Sequence, residues 1–333
     1  MIRTTVIGCG FMGAHHARAV AEHPSLHLSS VVDLDAKRAA SVAAETNADS
    51  SSTSPMDAIE DVEAVIVASP EPVHSEQANA TLDAGRHLLL EKPITDDLET
   101  AKALADRCGQ VDNVTGVSFI LRYDPAYAQV HTLARNGELG SIVAVRAMRA
   151  ITAGESRRIG ARGHPNFYMN VHDIDAILTS VNDDVVEVAA NERHGELTDI
   201  DVPDAMQAIL RFSNGATAVV EGYGILPNDM PGGIVAGFEL IGTDGTTRVD
   251  TPGNTIEVYN DGFDRPDTRH WPIIHGEMAG AVRRQIDRFA DAIEGDAAME
   301  ATIRDGYEAQ VIAEAIRQAA KTGTTVDLST IRP

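Results

Sequence analysis

The sequence predicts an α/β protein in two parts. The N-terminal part is a doubly wound parallel sheet. The C-terminal part is an α+β domain with an open, largely antiparallel sheet. Three observations predict this. Up to about residue 120, short apolar runs alternate with helical segments. Beyond it, strand-like segments follow one another, with Ser213-Asn214-Gly215 and Thr243-Asp244-Gly245 as hairpin turn signals between them. A Gly-rich turn, Gly8-Cys9-Gly10-Phe11-Met12-Gly13, joins the first strand to the first helix. Strands that alternate with helices pair in parallel through crossovers, whereas consecutive hairpins build an antiparallel sheet.

The elements follow in order. Residues 2–7 form a β-branched run, 12–22 have helical spacing, 28–33 are strand-like and 36–45 are Ala-rich and helical. A strand at 63–69, a helix at 73–84, a strand at 87–91, a helix at 96–107 and a strand at 114–119 complete the first part. The second part opens with a helix at 125–136 and a long alternating strand at 141–151. A Gly/Arg-rich loop is expected at 154–164, then a helix at 171–181. Strands are expected at 185–192, 205–212, 216–223, 237–241, 246–250 and 255–259, and two helices at 277–294 and 303–321 close the chain. At 333 residues the chain has room for two domains of ~150 residues each. The reading divides it into a cofactor domain at 1–120 and a substrate-binding and oligomerisation domain at 121–333.

Composition narrows the function classes. With 27 basic and 50 acidic residues the formal charge is −23. An acidic surface repels phosphate backbones and anionic membranes, so neither nucleic acid nor membrane is expected as a partner. No apolar run reaches the ~18 residues of a spanning helix. The N-terminus enters a strand at once, which leaves no space for a signal peptide. Cys9 and Cys108 make no disulfide framework. A cytoplasmic location is the expectation. Only Lys37, Lys92, Lys102 and Lys321 are lysines. Acid excess with scarce Lys predicts either adaptation to concentrated salt, where screening weakens self-repulsion, or an acidic cytosolic protein from a GC-rich genome.

The Gly-rich turn carries the first chemical inference. G-x-G-x-x-G between a strand and a helix is the Rossmann fingerprint. Gly8 permits the tight turn, Gly10 lets the backbone approach a pyrophosphate, and Gly13 allows close helix–strand packing. Phe11 and Met12 belong to the same helix start, whose N–H groups face the phosphates. Asp33 ends the second strand 20 residues beyond Gly13, where a carboxylate accepts from ribose hydroxyls and repels a 2′-phosphate. NAD is therefore preferred over NADP, with Lys37 and Arg38 as a partial counterweight. Glu91-Lys92-Pro93 ends another parallel strand. A Lys there points into the crevice where ligands bind such sheets.

Together these residues resemble the glucose–fructose oxidoreductase / inositol dehydrogenase / MocA family. The resemblance rests on GCGFMGAHHAR (8–18), ASPEPVHSEQANATLDAGRHLLLEKPIT (68–95), FILRYDPAY (119–127), VHDIDAI (171–177) and IRDGYEAQVIAEAI (303–316). The stretch from 121 to 183 looks most like the inositol dehydrogenase branch. The resemblance implies an NAD-dependent oxidoreductase of a sugar or polyol, with a C-terminal sheet used for dimer or tetramer packing. It implies that Lys92 holds the reacting hydroxyl and that His172 is the acid/base. It puts Ser69, Pro70, His74, Glu91 and Arg122 beside the cofactor and Tyr123 near the substrate. Two positions depart from the family pattern. Pro70-Glu71 stands where relatives read Pro-Asn. Tyr168 stands one helical turn before His172, where many relatives have Asp. Tyr168 is thus a candidate to replace that carboxylate by hydrogen bonding.

Other polar residues are open to two readings. Arg157, Arg158, Arg162 and His164 form either a clamp for an anionic sugar or a solvated loop with local ion pairs. Asp173 caps or pairs elsewhere. His16 reads as packed or dipole-facing rather than catalytic, and no metal-ligand spacing occurs. Two alternatives to a dehydrogenase remain. One is an NAD-dependent glycoside hydrolase working by transient oxidation, and the other is a dinucleotide-binding sensor.

Overall fold

The computed structural model describes residues 1–160, 164–253, 256–260 and 262–332. They form two compact units. The first comprises Met1–Asp124 with Arg269–Tyr307, and the second comprises Pro125–Thr268 with Glu308–Pro333.

In the first unit the chain runs β1 (Ile2–Ile7), α1 (Phe11–Ala21), β2 (Leu26–Val32), α2 (Ala36–Thr46), β3 (Ser50–Ser52), α3 (Pro55–Glu60), β4 (Ala64–Val67), α4 (His74–Asp83), β5 (His87–Leu90), α5 (Leu98–Cys108) and β6 (Thr115–Val117). The six strands are parallel in the order β3-β2-β1-β4-β5-β6. This is the doubly wound dinucleotide-binding order, with the crevice where the order reverses at β1 and β4. β4 is buried throughout, as expected for a strand covered on both faces. Helix starts follow local chemistry. Asp35 caps α2 by accepting from the N–H groups of Lys37 and Arg38, and Asp97 caps α5 by accepting from Thr100.

The polar edge strand β3 and the short α3 lie outside the sequence expectation. Ser50, Ser51 and Ser52 have no β-branched or apolar signal, so pairing with β2 makes them a strand.

The second unit contains α6 (Pro125–Arg135), β7 (Ile142–Thr152), α7 (Ala153–Ile159), α8 (Pro165–Tyr168), α9 (Val171–Val181), β8 (Val185–Arg193), β9 (Ala205–Phe212), β10 (Thr217–Leu226), β11 (Ile234–Gly242) and β12 (Thr246–Thr251). Two small hairpins follow, β13 (Val258–Tyr259) with β14 (Phe263–Asp264) and, back in the first unit, β15 (Ile273–Ile274) with β16 (Glu277–Met278). Helix α10 (Gly280–Glu294) belongs to the first unit, α11 (Ile303–Thr322) runs from the first unit into the second, and β17 (Val326–Asp327) ends the series.

The large sheet has the order β12-β11-β7-β10-β9-β8-β17. Every pair is antiparallel except β7 with β10. Both predicted turns join antiparallel neighbours, β9–β10 and β11–β12. On β9 the side chains of Met206, Ala208, Leu210 and Phe212 are buried, while Gln207, Ile209 and Arg211 are exposed. One sheet face thus packs on the core and the other is open.

The segment expected to be a loop at 154–164 is a helix over Ala153–Ile159. Thr152 caps it by accepting from Glu155 N–H at 3.2 Å, and Gly160 ends it at φ 70°. The Gly and Arg content hid this helix, because the capping threonine lies in the preceding strand.

Candidate active site

The dinucleotide turn is built as its glycines require. Gly8 has φ 96°, and a Cβ there would sit 2.4 Å from the Ala68 carbonyl oxygen. A Cβ on Gly13 would sit 1.8 Å from the Gly8 carbonyl oxygen. Gly10 is different. Its φ is −71°, and a Cβ there meets no protein atom within 4 Å. Neither backbone conformation nor packing within the chain demands glycine at this position. The free approach to the main chain serves a ligand. Among the described residues no side chain caps α1, and its first turn holds no acidic residue, so the helix start suits an anion. Phe11 is largely exposed and meets Trp271 edge-on with ring centroids 5.1 Å apart. Met12 is partly buried against the apolar cluster.

Asp33 stands beside this turn. Its Oδ2 accepts from Cys9 N–H at 2.9 Å and its Oδ1 from Asp35 N–H at 2.9 Å. Arg38 Nη1 lies 3.3 Å from Asp33 Oδ2. Burial and the Asp33 charge push the Cys9 thiol up to about 11, against Arg38, so Cys9 is an inert packing residue.

At the end of β5, Glu91 is buried and Lys92 half-buried. His16 Nε2 lies 2.9 Å from Glu91 Oε1. Burial works to raise the Glu91 carboxyl. The His16 contact, with help from the charges of His16 and Lys92, outweighs it and holds the group below its ordinary value. His16 is therefore a packed, paired histidine. The Lys92-Pro93 peptide is cis. His74 Nδ1 lies 2.9 Å from the Pro93 carbonyl oxygen, and its Nε2 lies 2.7 Å from that of Ser69. One buried imidazole thus ties the loop after β4 to the segment after β5. Ser69 Oγ donates to Gln77 Oε1 at 2.6 Å, and Pro70 is exposed. Arg122 bonds the Glu300 carbonyl oxygen and pairs with Asp305 at 3.3 Å. Tyr123 is buried within the apolar cluster of this unit, and burial pushes its phenol up.

In the second unit His172 is the second residue of α9 and is half-buried. Its neighbour Asp173 is consumed by a buried ion pair. Arg149 Nε donates to Asp173 Oδ2 at 2.9 Å and Nη2 donates to Oδ1 at 2.8 Å. Asn170 donates to Asp173 Oδ2 at 3.1 Å and to the Glu221 carbonyl oxygen at 3.0 Å. These bonds pin the first turn of α9 to β7 and β10. Tyr168 ends α8 and packs on the Ile151, Ile159 and Met169 cluster. Arg158 pairs with Glu155 at 2.5 Å, and Arg157 with Asp199 at 3.3 Å. His164 pairs with Glu192 at 2.9 Å. The local ion-pair reading therefore describes Arg157, Arg158 and His164. Arg162 lies outside the described residues.

Sequence reasoning missed the Arg149–Asp173–Asn170 network and the His16–Glu91 pair. Arg149 carried a signal. It shares the alternation of Val145 and Ala147, both buried, so it places a charge on a core face that needs a partner. Among the described residues no group of three or more His, Cys, Asp or Glu side chains is placed to hold a metal.

Residues 2–119 match the oxidoreductase family's NAD-binding Rossmann fold, and residues 132–328 match its C-terminal alpha/beta domain. The chain belongs to the Gfo/Idh/MocA oxidoreductase family. It is 30% identical to inositol 2-dehydrogenase 2 of Saccharopolyspora erythraea over 96% of this chain and 93% of that protein. It also resembles the crystal structure of myo-inositol 2-dehydrogenase from Lactobacillus plantarum. The TM-score is 0.84 with 25% identity, covering 98% of this chain and 99% of that one. GenD2 of gentamicin A biosynthesis, solved in complex with NAD, gives a TM-score of 0.86 with 25% identity, over 98% of this chain and 96% of that chain. The first part of the chain is an NAD-binding Rossmann domain, and the protein is an NAD-dependent oxidoreductase.

Proposed function

We propose that this oxidoreductase is a dehydrogenase for a secondary alcohol of a cyclic polyol or sugar, inositol-like or aldose. The observation that carries the reading is Lys92 at the carboxyl end of β5, in the same unit as a dinucleotide turn whose Gly10 is open to a ligand. The inositol dehydrogenases among its relatives support the substrate class.

Residues 1–120 bind the cofactor and 121–333 bind substrate and form a homodimer or homotetramer through the open sheet face. The place of work is the cytoplasm, in concentrated salt. Gly8, Gly10, Phe11, Met12 and Gly13 receive the pyrophosphate, and Asp33 receives the ribose hydroxyls. Bound NAD supplies the acceptor for the hydride that leaves the alcohol carbon. Lys92 donates a hydrogen bond to the reacting oxygen and stabilises it as negative charge develops, a role worth several kcal/mol in a dry site. His172 takes the hydroxyl proton, typically a ~10²–10⁴-fold contribution. Tyr168 replaces the carboxylate of relatives as a hydrogen-bonding neighbour of this chemistry.

The test is a screen of inositols, aldoses and sugar acids with NAD, read by nicotinamide absorbance. A dehydrogenase accumulates NADH. Release of an alcohol from glycosides without net NADH, or no turnover on any substrate, overturns the reading. On the active substrate, Tyr168→Phe should lower turnover about tenfold or more. An unchanged rate and pH profile would remove Tyr168 from the site.

A further inference from the structure

Three elements of the first unit bring polar groups to the end of β5. His16 comes from α1, Glu91 directly follows β5, and Ser118 directly follows β6. All three are buried, and His16 completely so. His16 Nε2 meets Glu91 Oε1 at 2.9 Å, while Glu91 Oε2 accepts the main-chain N–H of Lys92 at 3.2 Å. Ser118 Oγ donates to Gln285 Oε1 of α10 at 2.9 Å, which fixes that hydroxyl. One carboxylate therefore joins the helix that opens on the dinucleotide turn to the residue that carries the ammonium.

A strut alone does not need this chemistry. Burying an ionised carboxylate is unfavourable unless it is paired, and apolar side chains of the same volume fill such a space at least as well. We propose that the buried His16–Glu91 pair is the positioning device of Lys92: it fixes the main chain from which the lysine departs and keeps a buried carboxylate on the adjacent residue. The inference rests on the reading above that Lys92 holds the reacting hydroxyl. The charge matters because only an ammonium, not a neutral amine, stabilises a developing alkoxide strongly. The Lys92 charge is one of the causes that hold the Glu91 carboxyl below its ordinary value. From α4, His74 holds the other side of the same segment at the Pro93 carbonyl.

The experiment uses the full chain with NAD bound and three variants. Glu91→Gln keeps the shape and removes the charge. His16→Gln keeps a donor near the Nε2 position, and His16→Ala removes it. Lysines are acylated with acetic anhydride at one mildly alkaline pH and read by mass spectrometry, with Lys37, Lys102 and Lys321 as internal references. In Glu91→Gln, Lys92 should react about tenfold faster relative to those references, as loss of a charge partner predicts. Its kcat should fall about tenfold while KM for the alcohol stays close to wild type. His16→Gln should recover kcat relative to His16→Ala. If Glu91→Gln does not fold, the two His16 variants decide the matter. The proposal is overturned if Lys92 reactivity and kcat are unmoved in folded Glu91→Gln, or if His16→Gln and His16→Ala behave alike. Full turnover in Lys92→Ala would instead overturn the reading of Lys92 itself.

Discussion

The turn after β1 and the first turn of α9 each present residues at a helix start, yet they are built on different principles. At the first, three glycines shape the main chain, and two of them are demanded by atoms of the chain itself. At the second, His172 rides on a helix fixed by side chains from elsewhere in the fold, Arg149 on β7 and Asn170 beside the helix. A main-chain site announces itself in sequence because few residues can take the needed backbone path. A side-chain site does not, because any of several partners can supply the support.

The strongest way to break the comparison is to remove the reacting groups. Lys92→Ala and His172→Ala should each lower turnover by about 10²–10⁴-fold. Calorimetry should find NAD affinity nearly unchanged in both. A large loss of NAD binding in either would place that residue with the cofactor rather than the substrate.

Next come the supports. Arg149→Met leaves the Asp173 carboxylate buried and unpaired, a change expected to cost about 3–5 kcal/mol. Denaturant melts should show it, and the double change Arg149→Met with Asp173→Leu should recover most of the loss. A small effect in the single variant would mean that α9 is held by packing alone.

The glycines sharpen the contrast further. Gly13→Ala should destabilise the fold, since its Cβ would overlap the Gly8 carbonyl oxygen. Gly10→Ala should melt as wild type does, but bind NAD about tenfold more weakly, about 1.4 kcal/mol. Equal NAD affinity in folded Gly10→Ala would move the pyrophosphate away from this turn.

These expectations show what was legible. The parallel sheet and the Gly-rich turn could be read because periodicity and backbone chemistry are local. So could α9, whose apolar spacing gives 171–181, the observed bounds. Three serines could not announce β3, because the pairing with β2 lies 20 residues away in sequence. The return of Arg269–Tyr307 to the first unit has no local signal either. Its consequences are all contacts: Trp271 on Phe11, Arg269 with Asp124 at 2.6 Å, and Gln285 with Ser118. His16 could be read as packed, but its partner Glu91 is 75 residues away and surfaced only in the fold.

A smaller effect concerns the cofactor's 2′ position. Asp33→Ala should narrow the preference for NAD over NADP, because it removes the repelling charge and releases Arg38. Arg38→Ala should widen it. Binding of both dinucleotides by calorimetry checks this pair, and comparable NAD and NADP affinities in the wild type would remove the assigned role of Asp33.

The smallest change is expected from salt, and it acts on both regions alike. The net charge is −23. Exposed ion pairs such as Lys102–Asp106 at 3.1 Å and Arg248–Asp250 at 3.0 Å act over a few ångströms. Repulsion among the excess acids acts over longer distances. Raising ionic strength from 0.1 to 1 M shortens the Debye length from ~10 to ~3 Å, so it removes the long-range repulsion more fully than the contact pairs. Exposed pairs contribute little in any case, with a median of ~0–1 kcal/mol. The sign of the balance is therefore stabilisation by salt. Each kcal/mol gained raises the melting temperature by ~2–4 °C in a domain of this size. Thermal melts in potassium chloride from 0.1 M to 3 M should rise by several degrees, and the rise should persist in Arg149→Met, whose defect is buried and poorly screened. A flat or falling profile would show that the acidic surface is not an adaptation to salt.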